Sequence, residues 1–123
     1  MKQGRVYLPR AIIPPRQQTT HFVVVLTSNG ILNRLQQSGG FVVTALIRSA
    51  TSSRGNRVNL IPIHSIPVTV AQLGFLSHDS IIETHQLFHL PLQELTGSNG
   101  RLLGDLPDQI LAEVLAGARR LLS

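Results

Sequence analysis

The most informative gaps in this sequence are in its cysteine, tryptophan and lysine content. There is no cysteine, no tryptophan and a single lysine, Lys2, among the 123 residues. The lack of cysteine excludes a disulfide framework, a thiol nucleophile and a zinc site made of thiolates. Because aromatic residues make up only 4 % of the chain, Val, Ile and Leu side chains must fill the interior.

Long hydrophobic runs are missing as well. The apolar stretch near the N-terminus is interrupted by Pro9 and Arg10, so it does not form a signal-peptide core. No apolar run elsewhere is long enough to cross a bilayer. These absences predict a cytoplasmic protein that has no membrane partner.

Negative charge is scarce. The chain contains eleven Lys and Arg residues and six Asp and Glu residues, which gives a net charge of +5. Nearly all the cations are arginines, whose planar fork of donors suits phosphate oxygens. The charge is explained either by solubility alone or by an anionic partner. Nucleic acid is the favoured partner, since no basic amphipathic helix with a bulky aromatic face is present.

The chain has the composition of a folded domain with a mainly β architecture. Hydrophobic residues make up 42 % and charged residues 14 % of it, and its length fits one domain over residues 1–123. β-branched and apolar runs, separated by turn residues, predict strands. A helical turn or two is predicted at 31–37. The predicted strands are residues 5–8, 22–27, 41–47, 58–63, 68–71 and 80–90.

The C-terminal segment changes to a helical period. Apolar residues recur there at intervals of three and four, which is one face of an amphipathic helix. Asp105 is predicted to cap this helix, and Pro107 belongs in its first turn. The face comprises Ile110, Leu111, Val114, Leu115, Ala118, Leu121 and Leu122. We therefore expect a small barrel of strands with a helix packed on it.

The order of the motifs resembles that of the MazF/PemK toxin family. Residues 4–7 (GRVY) resemble the family's opening G-x-V/I-Y/W, and residues 23–29 (VVVLTSN) its second-strand VVVLS-N run. Residues 42–49 are similar to its VVVAPITS strand, and residues 79–86 to its DSVI…EQ strand. The closing segment, residues 100–122, is similar to its G-x-L…L…V…AL…L helix. The likeness spans nearly the whole chain.

This resemblance implies a fold and a function. The implied fold is an SH3-like barrel of the MazF/PemK/CcdB type with a C-terminal amphipathic helix. The implied protein is a homodimeric toxin of a type II toxin–antitoxin system, bound by a cognate antitoxin and inhibiting growth. The implied activity is endoribonuclease cleavage of single-stranded RNA, with no metal and no cofactor.

The resemblance also points to candidate site residues. His21 stands where the family has the arginine of an Arg-Pro pair, and Arg48 stands at its Thr or Ser position, followed by Ser49. His85 occupies the position of an acidic residue, and Gln86 matches the family. Imidazoles titrate near neutral pH, so His21 and His85 are candidates for proton transfer. Arg48 is the candidate phosphate stabiliser, with Ser49 and Gln86 in support. The alternative is that these are ordinary histidines on the surface or at the edge of the core.

Two further features allow more than one interpretation. Arg54 and Arg57 lie in a Ser-rich loop that either grips RNA phosphates or forms a solvated hairpin. The spacing of His85 and His89 would suit a metal on a helix, but on a strand it predicts Glu83, His85, Leu87 and His89 on one face. Even with His78 nearby, no third ligand has convincing spacing, so no metal site is expected.

Three functions remain open from the sequence. The first is a MazF-like endoribonuclease with atypical active-site residues. The second is a catalytically inactive barrel that binds RNA or a protein partner, because the family's Arg-Pro pair is absent. The third is a CcdB-like toxin that poisons DNA gyrase.

Overall fold

The computed structural model describes residues 1–10, 21–50 and 64–122. The predicted strand at 58–63 and the predicted phosphate-binding residues Arg54 and Arg57 lie outside these ranges. Elsewhere the described elements can be compared directly with the sequence patterns.

The described strands form one six-stranded sheet in which all the neighbours are antiparallel. Its spatial order is β4-β5-β3-β2-β1-β6. Strands at 5–8, 22–27, 41–47 and 80–90 were expected from apolar runs, and all four are confirmed. The strands are β1 (Arg5–Pro9), β2 (Phe22–Val25), β3 (Phe41–Ser49), β4 (Ser65–Val68), β5 (Ser80–Pro91) and β6 (Gly100–Asp105).

Two helices accompany the sheet in the described ranges. Helix α1 spans Asn29–Ser38, which confirms the helical turns expected at 31–37. Helix α2 spans Asp108–Arg119 and buries Ile110 and Val114, as its apolar period predicts. None of the described helices is long and apolar enough to span a membrane. The expectation of a mainly β fold with a C-terminal amphipathic helix is confirmed.

Two local predictions are wrong. Asp105 does not cap α2, because it is the last residue of β6 and its carboxylate accepts a hydrogen bond of 3.0 Å from Arg5 Nε. The strand expected at 68–71 lies earlier, at Ser65–Val68, and contains the exposed Pro67. A proline without an N–H is tolerated there because β4 is an edge strand of the sheet formed by the described residues.

The sheet carries an apolar cluster on each face. Because side chains alternate along a strand, Val23 and Val24 of β2 point to opposite faces. Val23 belongs to the cluster that includes Leu32 of α1, and Val24 to the cluster that includes Val114 of α2. The two helices therefore cover opposite faces of one sheet.

A bulge in β5 interrupts its pairing with β3. Ala45 pairs with Leu87, whereas the next residue, Leu46, pairs with Glu83. The intervening residues 84–86 have no partner on β3, so Glu83 and Leu87 face opposite sides of the sheet. The expectation of a single face carrying Glu83, His85, Leu87 and His89 is therefore wrong.

Candidate functional site

A cavity lies at the end of the sheet where β2 begins and β3 ends. Its volume is about 250 Å³. Three of the candidate site residues predicted from the sequence line this cavity: His21, Arg48 and Ser49. The other described lining residues are Phe22, Ile47, Leu76, Ser77, His78 and Ser80. We call it the sheet-end cavity.

Strand register explains why these residues meet. Phe22 pairs with Ile47, and one further step along this antiparallel ladder brings His21 opposite Arg48. On the other side of β3, Ser49 pairs with Ser80 at the start of β5. Residues far apart in the sequence thus become cross-strand neighbours.

The Arg48 guanidinium is held by a carboxylate. Its Nε forms an ion pair with Glu83 Oε1, and His85 Nε2 lies 3.9 Å from Glu83 Oε2. The side chains of Arg48, Glu83 and His85 are 24 %, 13 % and 28 % exposed. Because all three are mostly withdrawn from water, the Glu83 charge offsets much of the Arg48 charge. We call these residues the Arg48–Glu83–His85 cluster.

The ion pair leaves part of the guanidinium for another ligand. Arginine carries five N–H donors, and the contact with Glu83 involves Nε. Glu83 was not among the candidate site residues predicted from the sequence. Its signal was the even spacing from His85, which on a regular strand places a carboxylate on the same face as an imidazole.

Comparison with known proteins assigns the family. The model of a family described as PemK-like, MazF-like toxin of type II toxin-antitoxin system matches residues 2–122. The chain belongs to this family. A sequence search of curated proteins gives no significant match.

Solved structures of MazF/PemK proteins have the same fold. MazE-MazF from Deinococcus radiodurans superposes with a TM-score of 0.64 at 17 % identity, covering 99 % of this chain and 93 % of that one. An endoribonuclease in complex with its cognate antitoxin from Mycobacterial species gives 0.66 at 11 % identity, covering 99 % and 94 %. The Mycobacterium tuberculosis toxin MazF-mt6 gives 0.61 at 18 % identity, covering 95 % and 97 %. At these identities the likeness shows the fold alone.

The two histidines selected in this MazF/PemK chain lie in different surroundings. His85 is in the β5 bulge and is not among the residues lining the sheet-end cavity. Its Nδ1 is buried, and no described residue hydrogen-bonds to it. Its Nε2 is the nitrogen closer to Glu83. His21 lines the cavity beside Arg48.

A third histidine, His78, lies in the cavity with His21. Its exposed imidazole contacts Ser77, with Nδ1 2.9 Å from the hydroxyl oxygen. Its backbone carbonyl accepts a hydrogen bond of 3.1 Å from the Ser80 hydroxyl, which ties it to the start of β5. From its spacing in the sequence, His78 was considered only as a nearby residue for a metal site. Its position directly before the Asp-Ser of the family-like strand was the available signal.

The remaining candidate residues are placed as follows. Gln86 is exposed in the bulge, next to His85. His89 is exposed and lines a separate groove with Val43 and Leu87, on the α2 face. Within residues 1–10, 21–50 and 64–122, no three His, Asp or Glu side chains are grouped closely enough to hold a metal ion.

Proposed function

We propose that this MazF/PemK-family protein is a metal-free endoribonuclease that cleaves single-stranded RNA at the sheet-end cavity. The observation that carries the proposal is that His21, Arg48 and Ser49, which lie at two neighbouring strand ends, all line one cavity. Transesterification of a phosphodiester requires a proton acceptor, a proton donor and hydrogen-bond donors for the developing phosphoryl charge, and imidazole and guanidinium groups can serve in these roles.

The proposed reaction balances without any added reagent. The ribose 2′-oxygen attacks phosphorus as its proton passes to a base, and the bond from phosphorus to the 5′-oxygen breaks as that oxygen receives a proton. The products are a 2′,3′-cyclic phosphate and a 5′-hydroxyl end. The developing charge on the phosphoryl oxygens is balanced by the donors of Arg48 that Glu83 leaves available.

His21 and one other imidazole are the proposed proton-transfer groups. His85 is the second group that the family resemblance implies, whereas His78 is the second group that lines the cavity. The contact between His85 and Glu83 suits a residue that orients the cluster, because it directs Nε2 toward a carboxylate. We therefore propose His78 as the second proton-transfer group, with Ser49 and Gln86 in support.

The assembly state and partner are also proposed by family analogy. A solved relative is a MazE-MazF complex, and another is an endoribonuclease in complex with its cognate antitoxin. We propose that this protein forms a homodimer in the cytoplasm, inhibits growth by cutting RNA, and is neutralised by a cognate antitoxin. A small acidic reading frame beside its gene would supply that antitoxin.

The proposal is tested by cleavage of single-stranded RNA and mapping of the new 5′ ends. The purified full chain should yield 5′-hydroxyl ends at an unchanged rate in the presence of EDTA. His21→Ala and Arg48→Ala should each lower the cleavage rate by about 10²–10⁴-fold. His89→Ala is the matched control, since this exposed histidine lies on the other face of the sheet, and it should retain the wild-type rate.

Two further variants distinguish the proposed roles of His78 and His85. His78→Ala should reduce cleavage as strongly as His21→Ala, whereas His85→Ala should have the smaller effect of a positioning residue. Full activity in both His21→Ala and Arg48→Ala would remove the proposed mechanism. Growth arrest with damaged DNA and intact RNA would instead favour a gyrase poison.

One observation favours a second function, RNA binding without cleavage. The Glu83 carboxylate already pairs with Arg48, so less of the guanidinium charge is available for the extra negative charge that develops in the transition state of cleavage. Under this alternative, the purified protein shifts single-stranded RNA on a gel and leaves it uncut.

A further inference from the structure

A second hollow lies at the same end of the sheet as the sheet-end cavity, toward the β6 side of the sheet. It has a volume of about 530 Å³ and is formed where the end of β1 meets the turn before β6. It is lined by residues 8–10, at the end of β1, and by Gly97, Ser98, Gly100 and Arg101, around the start of β6. We call it the β1–β6 hollow.

The β1–β6 hollow is strongly basic. Arg10 and Arg101 are both exposed, and no carboxylate is among the described lining residues. Neither arginine forms an ion pair with any residue that the structure describes. Arg5, also on β1, differs from these two arginines. Its hydrogen bond to Asp105 raises its pKa, and the Asp105 carboxylate compensates its charge. Two uncompensated guanidiniums thus face one recess.

The backbone around the hollow is held in place by hydrogen bonds. The Arg10 N–H donates to the Asn99 carbonyl at 3.0 Å, which joins the end of β1 to the turn before β6. The Asn99 side chain in turn donates from Nδ2 to the Gln93 carbonyl at 3.0 Å. Gly97 adopts a φ of 61°, a left-handed conformation that other side chains seldom adopt. The two arginines therefore project from an ordered frame.

The hollow is aligned with the sheet-end cavity. Leu8 of β1 pairs with Arg101 of β6. Tyr7 of β1 pairs with Val23 of β2, and two further steps along that ladder bring the end of β1 beside His21. Since β1 and β2 lie between β6 and β3, and strands are spaced by about 4.8 Å, the backbones of β6 and β3 are about 14 Å apart at this end of the sheet. A few nucleotides of single-stranded RNA span this distance.

We propose that the β1–β6 hollow is a second contact site for the RNA backbone, in which Arg10 and Arg101 bind phosphates of the strand whose reacting phosphodiester lies in the sheet-end cavity. This inference rests on the proposed RNA substrate. Guanidiniums bind phosphate oxygens through paired N–H donors and do so independently of base identity. The hollow therefore contributes affinity and positioning, whereas cleavage chemistry remains at His21 and Arg48.

The test measures RNA binding separately from RNA cleavage. The probe is a single-stranded 2′-O-methyl RNA, which lacks the attacking hydroxyl, and its affinity for the full chain is measured over a series of potassium chloride concentrations. Each lost phosphate contact lowers the slope of log affinity against log salt by about 0.7 for single strands. Arg10→Ala combined with Arg101→Ala should lower the slope by about 1.4 and weaken binding about tenfold.

Matched variants control for net charge and folding. Arg34→Ala combined with Arg119→Ala removes the same charge from exposed positions on α1 and α2, and it should change the slope far less. Arg10→Lys combined with Arg101→Lys should keep the slope near the wild-type value, because the charges remain. Both alanine pairs should retain the wild-type free energy of unfolding.

The outcomes separate this inference from the proposed function. Equal loss of binding in the two alanine pairs would overturn the β1–β6 hollow as a site, even if wild-type protein cuts RNA. RNA bound through Arg10 and Arg101 but never cut would support the hollow and overturn the nuclease. No binding of the probe by wild-type protein would overturn the hollow as an RNA site, and the nuclease is then decided by the cleavage assay alone.

Discussion

At the scale of single residues, the decisive contact is the ion pair between Arg48 and Glu83. Both side chains are largely buried, so each depends on the other for compensation of its charge. The pair also sets how much positive charge the cavity presents to a phosphate. If the protein binds RNA as proposed, Glu83 should raise stability and lower RNA affinity.

The variant Glu83→Gln tests this dual effect. It should lower the free energy of unfolding by about 1–2 kcal/mol, because Arg48 stays mostly buried after losing its charge partner. The freed guanidinium should at the same time bind single-stranded RNA more tightly. Denaturant unfolding and RNA titration measure the two effects.

Glu113→Gln is the control for this variant. Glu113 is exposed on α2, so its replacement should change the free energy of unfolding by less than about 0.5 kcal/mol. If Glu83→Gln and Glu113→Gln behaved alike in both measurements, the Arg48–Glu83 pair would contribute neither stability nor control of RNA affinity.

At the scale of elements, two glycines show how the strand β6 and the helix α1 differ in packing. A Cβ added at Gly100, the first residue of β6, would lie 2.8 Å from backbone atoms of Leu95. Gly30, in the first turn of α1, has no heavy atom within 4 Å of such a Cβ. Gly100 is thus required by close approach of two backbones, whereas Gly30 is not.

Alanine substitutions at these glycines should have opposite signs. Gly100→Ala should lower the free energy of unfolding by about 1–3 kcal/mol, since backbone atoms must move to admit the methyl group. Gly30→Ala should raise it by about 0.5–1 kcal/mol, because alanine loses less conformational entropy in a helix. The free energy of unfolding of both variants is measured by denaturant unfolding. An unchanged value for Gly100→Ala would show that the backbone of β6 is not packed tightly against Leu95.

At the scale of the whole molecule, one sheet separates two apolar clusters. Leu32 of α1 is fully buried in the first, and Val114 of α2 is fully buried in the second. The clusters share the strands of the sheet but no side chains. We propose that residues 1–123 nevertheless form a single domain that unfolds as one cooperative unit.

Truncations in the two clusters test this arrangement. Leu32→Ala and Val114→Ala should each destabilise the protein, the leucine variant by about 2–5 kcal/mol. Their effects should add to within about 0.5 kcal/mol in the double variant, because the sites have no common partner. Every variant should show a single denaturant transition. Two separate transitions would contradict the single domain.

Local patterns made much of the fold predictable. The apolar period around Ile110 and Val114 predicted α2, and the β-branched runs predicted the central strands β2 and β3. Strand β6 was not predicted from the sequence, because its residues are mostly exposed or half-buried and show no alternation of buried and exposed positions. Its strand conformation comes from pairing with β1, a partner distant in the sequence. Asp105 was misassigned for the same reason.

The sequence by itself determined the residue types available for chemistry, the family motifs and the two periodicities, since these depend on neighbours along the chain. Tertiary structure decided which groups meet: it placed Arg48 against Glu83, brought His78 into the cavity with His21, and turned Leu87 to the other face. The reason is strand register, which a three-residue bulge in β5 resets and which no local pattern encodes.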